Sequence, residues 1–126
     1  MSLILLVGPV RFNIISWNSY NHYACAPNET IIRSNAQALV DLGLQDYGYH
    51  FIVVDCGWTL PNRTAEGTLT WNPDRFPNGY PVLGEFIHSL NLGFGVYQDA
   101  GIKTCMLEEP EQVGSLRMSL MGTDCN

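Results

Sequence analysis

Positive charge is scarce in this chain of 126 residues. Six Lys and Arg stand against twelve Asp and Glu, the formal net charge is −6, and no basic run offers phosphates a grip. A nucleic-acid partner is excluded on that ground. Long apolar runs are also missing: the stretch over residues 3–7 falls far short of the about 20 residues that a membrane helix needs, so no membrane span is expected. As a secretory signal the same stretch is poor, because no Lys or Arg precedes it, Gly8 and Pro9 interrupt it, and no clean small-residue cleavage site follows. Residues 1–11 read either as an irregular tail or as a damaged or missing signal.

Several chemical signatures are absent as well. Cys25, Cys56, Cys105 and Cys125 show no Cys-x-x-Cys spacing and no His at ligand spacing, which leaves zinc without support and makes disulfides the better reading, with three connectivities open. His22, His50 and His88 lie on different elements and read as structural or surface residues. Gly93-Phe94-Gly95 lacks the third glycine of a dinucleotide fingerprint and sits within a strand, where the fingerprint would follow one. There is no Gly-x-Ser-x-Gly, Walker A or His-Glu-x-x-His motif. No motif implies a cofactor or a metal.

What is present suits a packed domain: 46% hydrophobic and 14% charged residues in a length that fits one modest domain or a piece of a larger one. Residues 12–16 read as a short buried strand, followed by a polar and aromatic stretch over residues 17–25. A helix then starts at Asn28, a good N-cap, with Glu29 to complement its positive end, Ile32, Ala36, Leu39 and Val40 on one face, and Gly43 as its stop. His50 begins a run, Phe51-Ile52-Val53-Val54, that is apolar at consecutive positions and ends on Asp55, as expected of a parallel strand covered on both faces. A long loop rich in turn formers covers residues 56–79, and loops of that length usually have a function. A second helix over residues 81–90 sets Leu83, Phe86, Ile87 and Leu90 at i, i+3, i+4 and i+7 with Pro81 in its first turn, and a third strand covers residues 93–97. The order β-α-β-α-β, with strand starts about 40 residues apart, predicts a parallel sheet with right-handed crossovers. Residues 106–126 read as an unstructured tail.

At the carboxyl edge of a parallel sheet, where ligands bind, the pattern places Asp55 and Asp99 beside Trp17, Tyr20, Trp58 and Tyr97. A carboxylate that accepts hydroxyl hydrogen bonds, next to an aromatic wall, suits a sugar. The competing reading gives the acids to turn capping and each aromatic to the core. Two sequons, at Asn28 and Asn62, fall in segments read as surface loops and fit a glycosylated, secreted protein.

Four motifs, in order, carry a resemblance: Trp17-Asn18-Ser19-Tyr20-Asn21-His22-Tyr23, Asp55-Cys56-Gly57-Trp58, Arg75-Phe76-Pro77-Asn78-Gly79, and Gly95-Val96-Tyr97-Gln98-Asp99-Ala100-Gly101 with Lys103-Thr104-Cys105. Together they resemble the α-galactosidases of the melibiase family, the fungal secreted branch most of all, over roughly four-fifths of the chain. The resemblance implies the N-terminal part of an α/β fold, a (β/α)8 TIM barrel with parallel strands, here over residues 12–105. It implies descent from a retaining enzyme that removes terminal α-linked galactose from oligosaccharides, glycoconjugates or galactomannan with two Asp residues. Tyr20, Asp55, Tyr97 and Trp17 correspond to substrate-binding positions, Cys25 and Cys56 to one family disulfide, and Cys105 to half of another.

The chain also departs from the family. Asp55-Cys56 stands where two adjacent acids are usual, and Ile15-Ser16 where Met-Gly is usual. The nucleophile belongs in a Lys-x-Asp motif on a fourth strand and the acid/base comes later still. Lys103 belongs to an earlier motif, and Asp124-Cys125 lacks a preceding strand. The expectation is a truncated product whose similarity fades after Arg117, inactive by itself and poorly soluble. The alternative is a non-catalytic galactose-binding or interaction module.

Overall fold

Three apolar stretches form one parallel sheet in the structure, a computed structural model that describes residues 15–98. The strands are β1 (Ile15–Asn18), β2 (Tyr49–Val54) and β3 (Gly93–Val96), lying side by side in chain order. The first strand therefore continues two residues beyond residue 16, while residues 12–14 lie outside the described ones, and the third ends one residue early. Even so, the Tyr97 N–H still donates to the Val54 carbonyl at 2.8 Å, which carries the ladder on to the carboxyl edge. A strand order that never reverses is that of a barrel wall; a doubly wound sheet reverses at a switch point.

The helices explain the sidedness of the sheet. After a short helix α1 (Tyr20–Tyr23), helix α2 (Glu29–Asp41) starts as expected: Asn28 is extended, and its Oδ1 accepts the Ile31 N–H at 2.9 Å. Gly43 and Gly48, both at positive φ, bracket a single 3-10 turn over Leu44–Tyr47 that returns the chain to β2. Helix α3 (Gly79–Ser89) begins two residues before Pro81, which keeps its place in the first turn. Ile32, Ala36 and Leu39 of α2 and Leu83 and Ile87 of α3 close on Ile52 and Val54 of β2 in one buried cluster.

The expectation that β2 is covered on both faces is met on the helix side among the described residues. Phe51, on the opposite face, is 37% exposed, and among the described residues only the helix side is covered. Consecutive apolar residues mark two apolar faces, but they do not say what covers the second. On that inner face the Phe51 ring lies over Gly93, where any Cβ would collide with it.

The 56–78 connection is partly ordered by its own backbone. Leu60 N–H donates to Thr70 O at 3.0 Å and Asn72 N–H to Trp58 O at 2.8 Å, around an antiparallel bridge between Thr59 and Trp71. The fold-back packs through aromatics. Tyr80 stacks on Trp58 at 5.0 Å and lies nearly parallel to Trp71 at 6.1 Å, while Phe76 and Phe94 approach it edge-on.

Candidate functional site

The carboxyl ends of β1 and β2 meet at Asp55, which is only 9% exposed. A carboxylate taken out of water must be hydrogen-bonded, and this one is. Asn18 Nδ2 donates to Oδ2 at 2.8 Å and the Cys56 N–H to Oδ1 at 2.8 Å. Ser19, fully buried, accepts the Asp55 N–H on its Oγ at 2.9 Å, and its own N–H donates to Val53 O at 3.1 Å, so the two strand ends are tied twice over. Among the described residues no cation pairs with Asp55. Its remaining lone pairs can accept hydroxyl hydrogens.

Tyr20 reaches this edge through Asn18, whose Oδ1 accepts the Tyr20 N–H at 2.8 Å. That two-residue reach from an Asn side chain to a backbone amide is an Asx turn. It launches helix α1, which the sequence did not signal, and leaves Tyr20 52% exposed. Tyr97, 39% exposed, continues β3 beside the end of β2. The structure therefore brings Tyr20, Asp55 and Tyr97 to one edge.

Two aromatics lie elsewhere. Trp58 is buried in the aromatic stack and is no open wall; its indole Nε1–H donates to the Tyr97 carbonyl at 2.8 Å, so it fixes Tyr97 from behind. Trp17 pairs in register with the helix-facing Ile52, packs against the core, and lies 6.4 Å from the Tyr23 ring, which sets it behind the strand end and not at its open side. Asp99, Lys103, Cys105, Asp124 and Cys125 lie outside the described residues.

Cys25 and Cys56 form a disulfide across 31 residues, anchoring the segment after α1 to the residue that follows Asp55. Arg75 had no assigned role in the sequence, yet its Nη1 donates to Cys25 O at 2.6 Å and to Gly57 O at 3.0 Å, clamping both sides of the bridge. Gly57 sits at φ +82°, and a Cβ there would collide with the Cys25 carbonyl, so the close approach requires glycine. The only signal available was an Arg inside a loop motif.

Glu29 stands in the first turn of α2, as expected, and is buried there. Its Oε1 accepts Arg33 Nε at 2.8 Å and Asn78 Nδ2 at 3.0 Å, its Oε2 accepts the Asn78 N–H at 3.1 Å, and its own N–H donates to Arg75 O at 2.8 Å. Burial alone would raise its carboxyl pKa, but the Asn78 hydrogen bonds and the Arg33 guanidinium outweigh it and hold the group below its ordinary value. These contacts line a polar cleft with Asn28 and Asp74. Its carboxylate is satisfied from within, so it serves as a joint between the starts of α2 and α3.

Of the two sequons, Asn62 is exposed, while Asn28 is half-buried and occupied as the helix cap. His22 meets Tyr23 edge-on at 4.6 Å, and His50 and His88 are exposed. Among the described residues no cluster of three His, Cys, Asp or Glu side chains gathers. None of their helices is long and apolar enough to cross a membrane.

Residues 11–117 match the family model described as Alpha galactosidase A, of the melibiase type. Probable alpha-galactosidase D of Aspergillus oryzae is 58% identical over 109 residues, which is 86% of this chain and 16% of that protein. Alpha-galactosidase I from Mortierella vinacea superposes with a TM-score of 0.74 at 35% identity, over 80% of this chain and 24% of that one. The alpha-galactosidase from Saccharomyces cerevisiae in a structure with raffinose aligns with a TM-score of 0.69 at 34% identity, over 72% of this chain and 20% of that one. The chain thus spans about a sixth of the length of the Aspergillus relative. Three parallel strands in chain order, helices on one side and a carboxylate at the strand end form the N-terminal part of a (β/α)8 barrel, and this chain belongs to the α-galactosidase (melibiase) family.

Proposed function

We propose that the Asp55 edge binds the terminal galactose of α-linked galactosides, and that the chain supplies part of the sugar-binding wall of a secreted, retaining α-galactosidase. The observation that carries this reading is the Asp55 carboxylate itself: buried at a strand end, held by Asn18 and Cys56, and left with lone pairs for hydroxyl donors. The exposed rings of Tyr20 and Tyr97 flank it, and Trp17 backs it. Oligosaccharides, glycoconjugates and galactomannan are the substrate class, in keeping with the raffinose named for the Saccharomyces enzyme. Secretion accords with the Cys25–Cys56 bridge, since disulfides persist in oxidising compartments.

Retaining hydrolysis takes a nucleophilic carboxylate and an acid/base carboxylate about 5 Å apart on either side of the glycosidic bond. Asp55 binds hydroxyls and does neither job, so the 126-residue chain alone binds galactose without turning over an α-galactoside. Calorimetric titration of the purified chain with galactose, followed by incubation with an aryl α-galactoside, tests both halves. Binding that disappears in Asp55→Asn, with no release of the aryl group, is expected; turnover by the purified chain overturns the reading.

The closed cluster of ten buried side chains favours a second reading, a free-standing galactose-binding module. It requires a monomer that melts cooperatively at a temperature raised by galactose. A melt with neither cooperativity nor a shift removes it.

A further inference from the structure

We infer that Asn18 is the positioning residue of this site, locking the Asp55 carboxylate and the Tyr20 turn into one unit; this rests on the reading of Asp55 as the galactose-binding carboxylate. Both ends of one side chain are engaged. Asn18 Nδ2 donates to Asp55 Oδ2 at 2.8 Å, and Asn18 Oδ1 accepts the Tyr20 N–H at 2.8 Å. The register sets Asn18 opposite Val53, two residues before Asp55, so alternation along the strand puts residues 18 and 55 on the same face.

The chemistry at each end is fixed. An ionised carboxylate only accepts and a backbone N–H only donates, so the group between them needs a donor and an acceptor on one rigid plane. The opposite amide orientation would set oxygen against oxygen and N–H against N–H. Aspartate at this position would keep the acceptor for Tyr20 but oppose Asp55 with a second acceptor. An alkyl side chain would release both partners.

Two consequences follow for the sugar. With Oδ2 held by Asn18 and Oδ1 by the Cys56 N–H, the carboxyl group cannot rotate, and its outward lone pairs keep one direction. With the Tyr20 amide held by the same side chain, the flanking ring is placed relative to that carboxylate. Asn18 therefore acts on recognition through Asp55 and Tyr20 without itself needing to touch the ligand.

The test uses the full chain with galactose and its C4 epimer glucose as probes, comparing wild type, Asn18→Ala, Asn18→Asp and the double variant that combines Asn18→Asp with Asp55→Asn. Titration calorimetry reads affinity, and a melting scan of the same samples reads the folded fraction. Asn18→Ala is expected to weaken galactose at least tenfold per folded molecule and to shrink the preference for galactose over glucose. Asn18→Asp should do so more severely. In the double variant the amide and the carboxylate trade places, so the amide at position 55 can donate to the carboxylate at position 18. Its melting temperature should recover while galactose binding stays lost. Should Asn18→Asp not fold, Asn18→Ala carries the same comparison. A merely structural role lowers the melting temperature but leaves the affinity per folded molecule and the epimer preference unchanged; that result in Asn18→Ala overturns the inference alone. Wild-type chain that binds no galactose overturns the Asp55 reading, and this inference with it.

Discussion

Tyr80 carries its hydroxyl into an aromatic cage where no hydrogen-bond partner among the described residues meets it. Burial pushes the phenol far above its ordinary range, so it stays neutral at any working pH. Because a buried polar atom without a partner costs stability, Tyr80→Phe is expected to be neutral or to stabilise by about 1 kcal/mol, read as a rise in urea midpoint; a clear loss would reveal a bond to the hydroxyl. Gly93→Ala should go the other way, destabilising by about 1–3 kcal/mol through overpacking against Phe51. Phe51→Ala in the same chain should offset part of that loss, because residues in contact do not act additively. At this scale Asp55 was legible, since an acid closing an apolar run marks a strand end. Trp58 was not, because whether an indole lines a site or a core depends on the rings that reach it, and Tyr80 and Phe76 come from later in the chain.

Among the elements, helix α2 carries the clearest consequence of capping. Asn28→Ala removes the acceptor for the Ile31 N–H and should cost about 1 kcal/mol, measured as a lower urea midpoint with no change in slope. One turn inside, Glu29 joins α2 to the start of α3 through Asn78. Its folded pKa lies below the 4.5 of a free glutamate, so the stability it contributes is fully present above that value and is lost as pH falls through the lower, folded one. Wild-type stability should therefore fall more steeply below about pH 4.5 than that of Glu29→Gln, which lacks the titrating group; parallel acid limbs would contradict it. The existence and order of α2, β2, α3 and β3 could be read from periodicity. Helix α1 could not, because a four-residue helix has no period to display and is started by one Asx turn.

For the molecule as a whole, the Cys25–Cys56 bridge closes a loop of about 30 residues and should contribute about 3 to 4 kcal/mol by restricting the unfolded chain. A melting scan with and without reductant checks it: a lowered melting temperature is expected, and coincident curves would show that the bridge does not support the fold. Reduction should also weaken galactose binding, because Cys56 donates the N–H that fixes Asp55. The Phe51 side of the sheet, uncovered among the described residues, should favour association between isolated chains, read as a sedimentation coefficient that rises with concentration. By itself the sequence determined the parallel β-α-β-α-β order, the Asn28 cap of α2 and the acid at the strand end, since each depends on neighbours within a few residues. Only the tertiary structure decided that Trp58 and Tyr80 serve the core, that Glu29 and Arg75 join segments about 50 residues apart, and that Asn18 spans Asp55 and Tyr20. Those roles are set by distances between parts of the chain that periodicity and local propensity never compare.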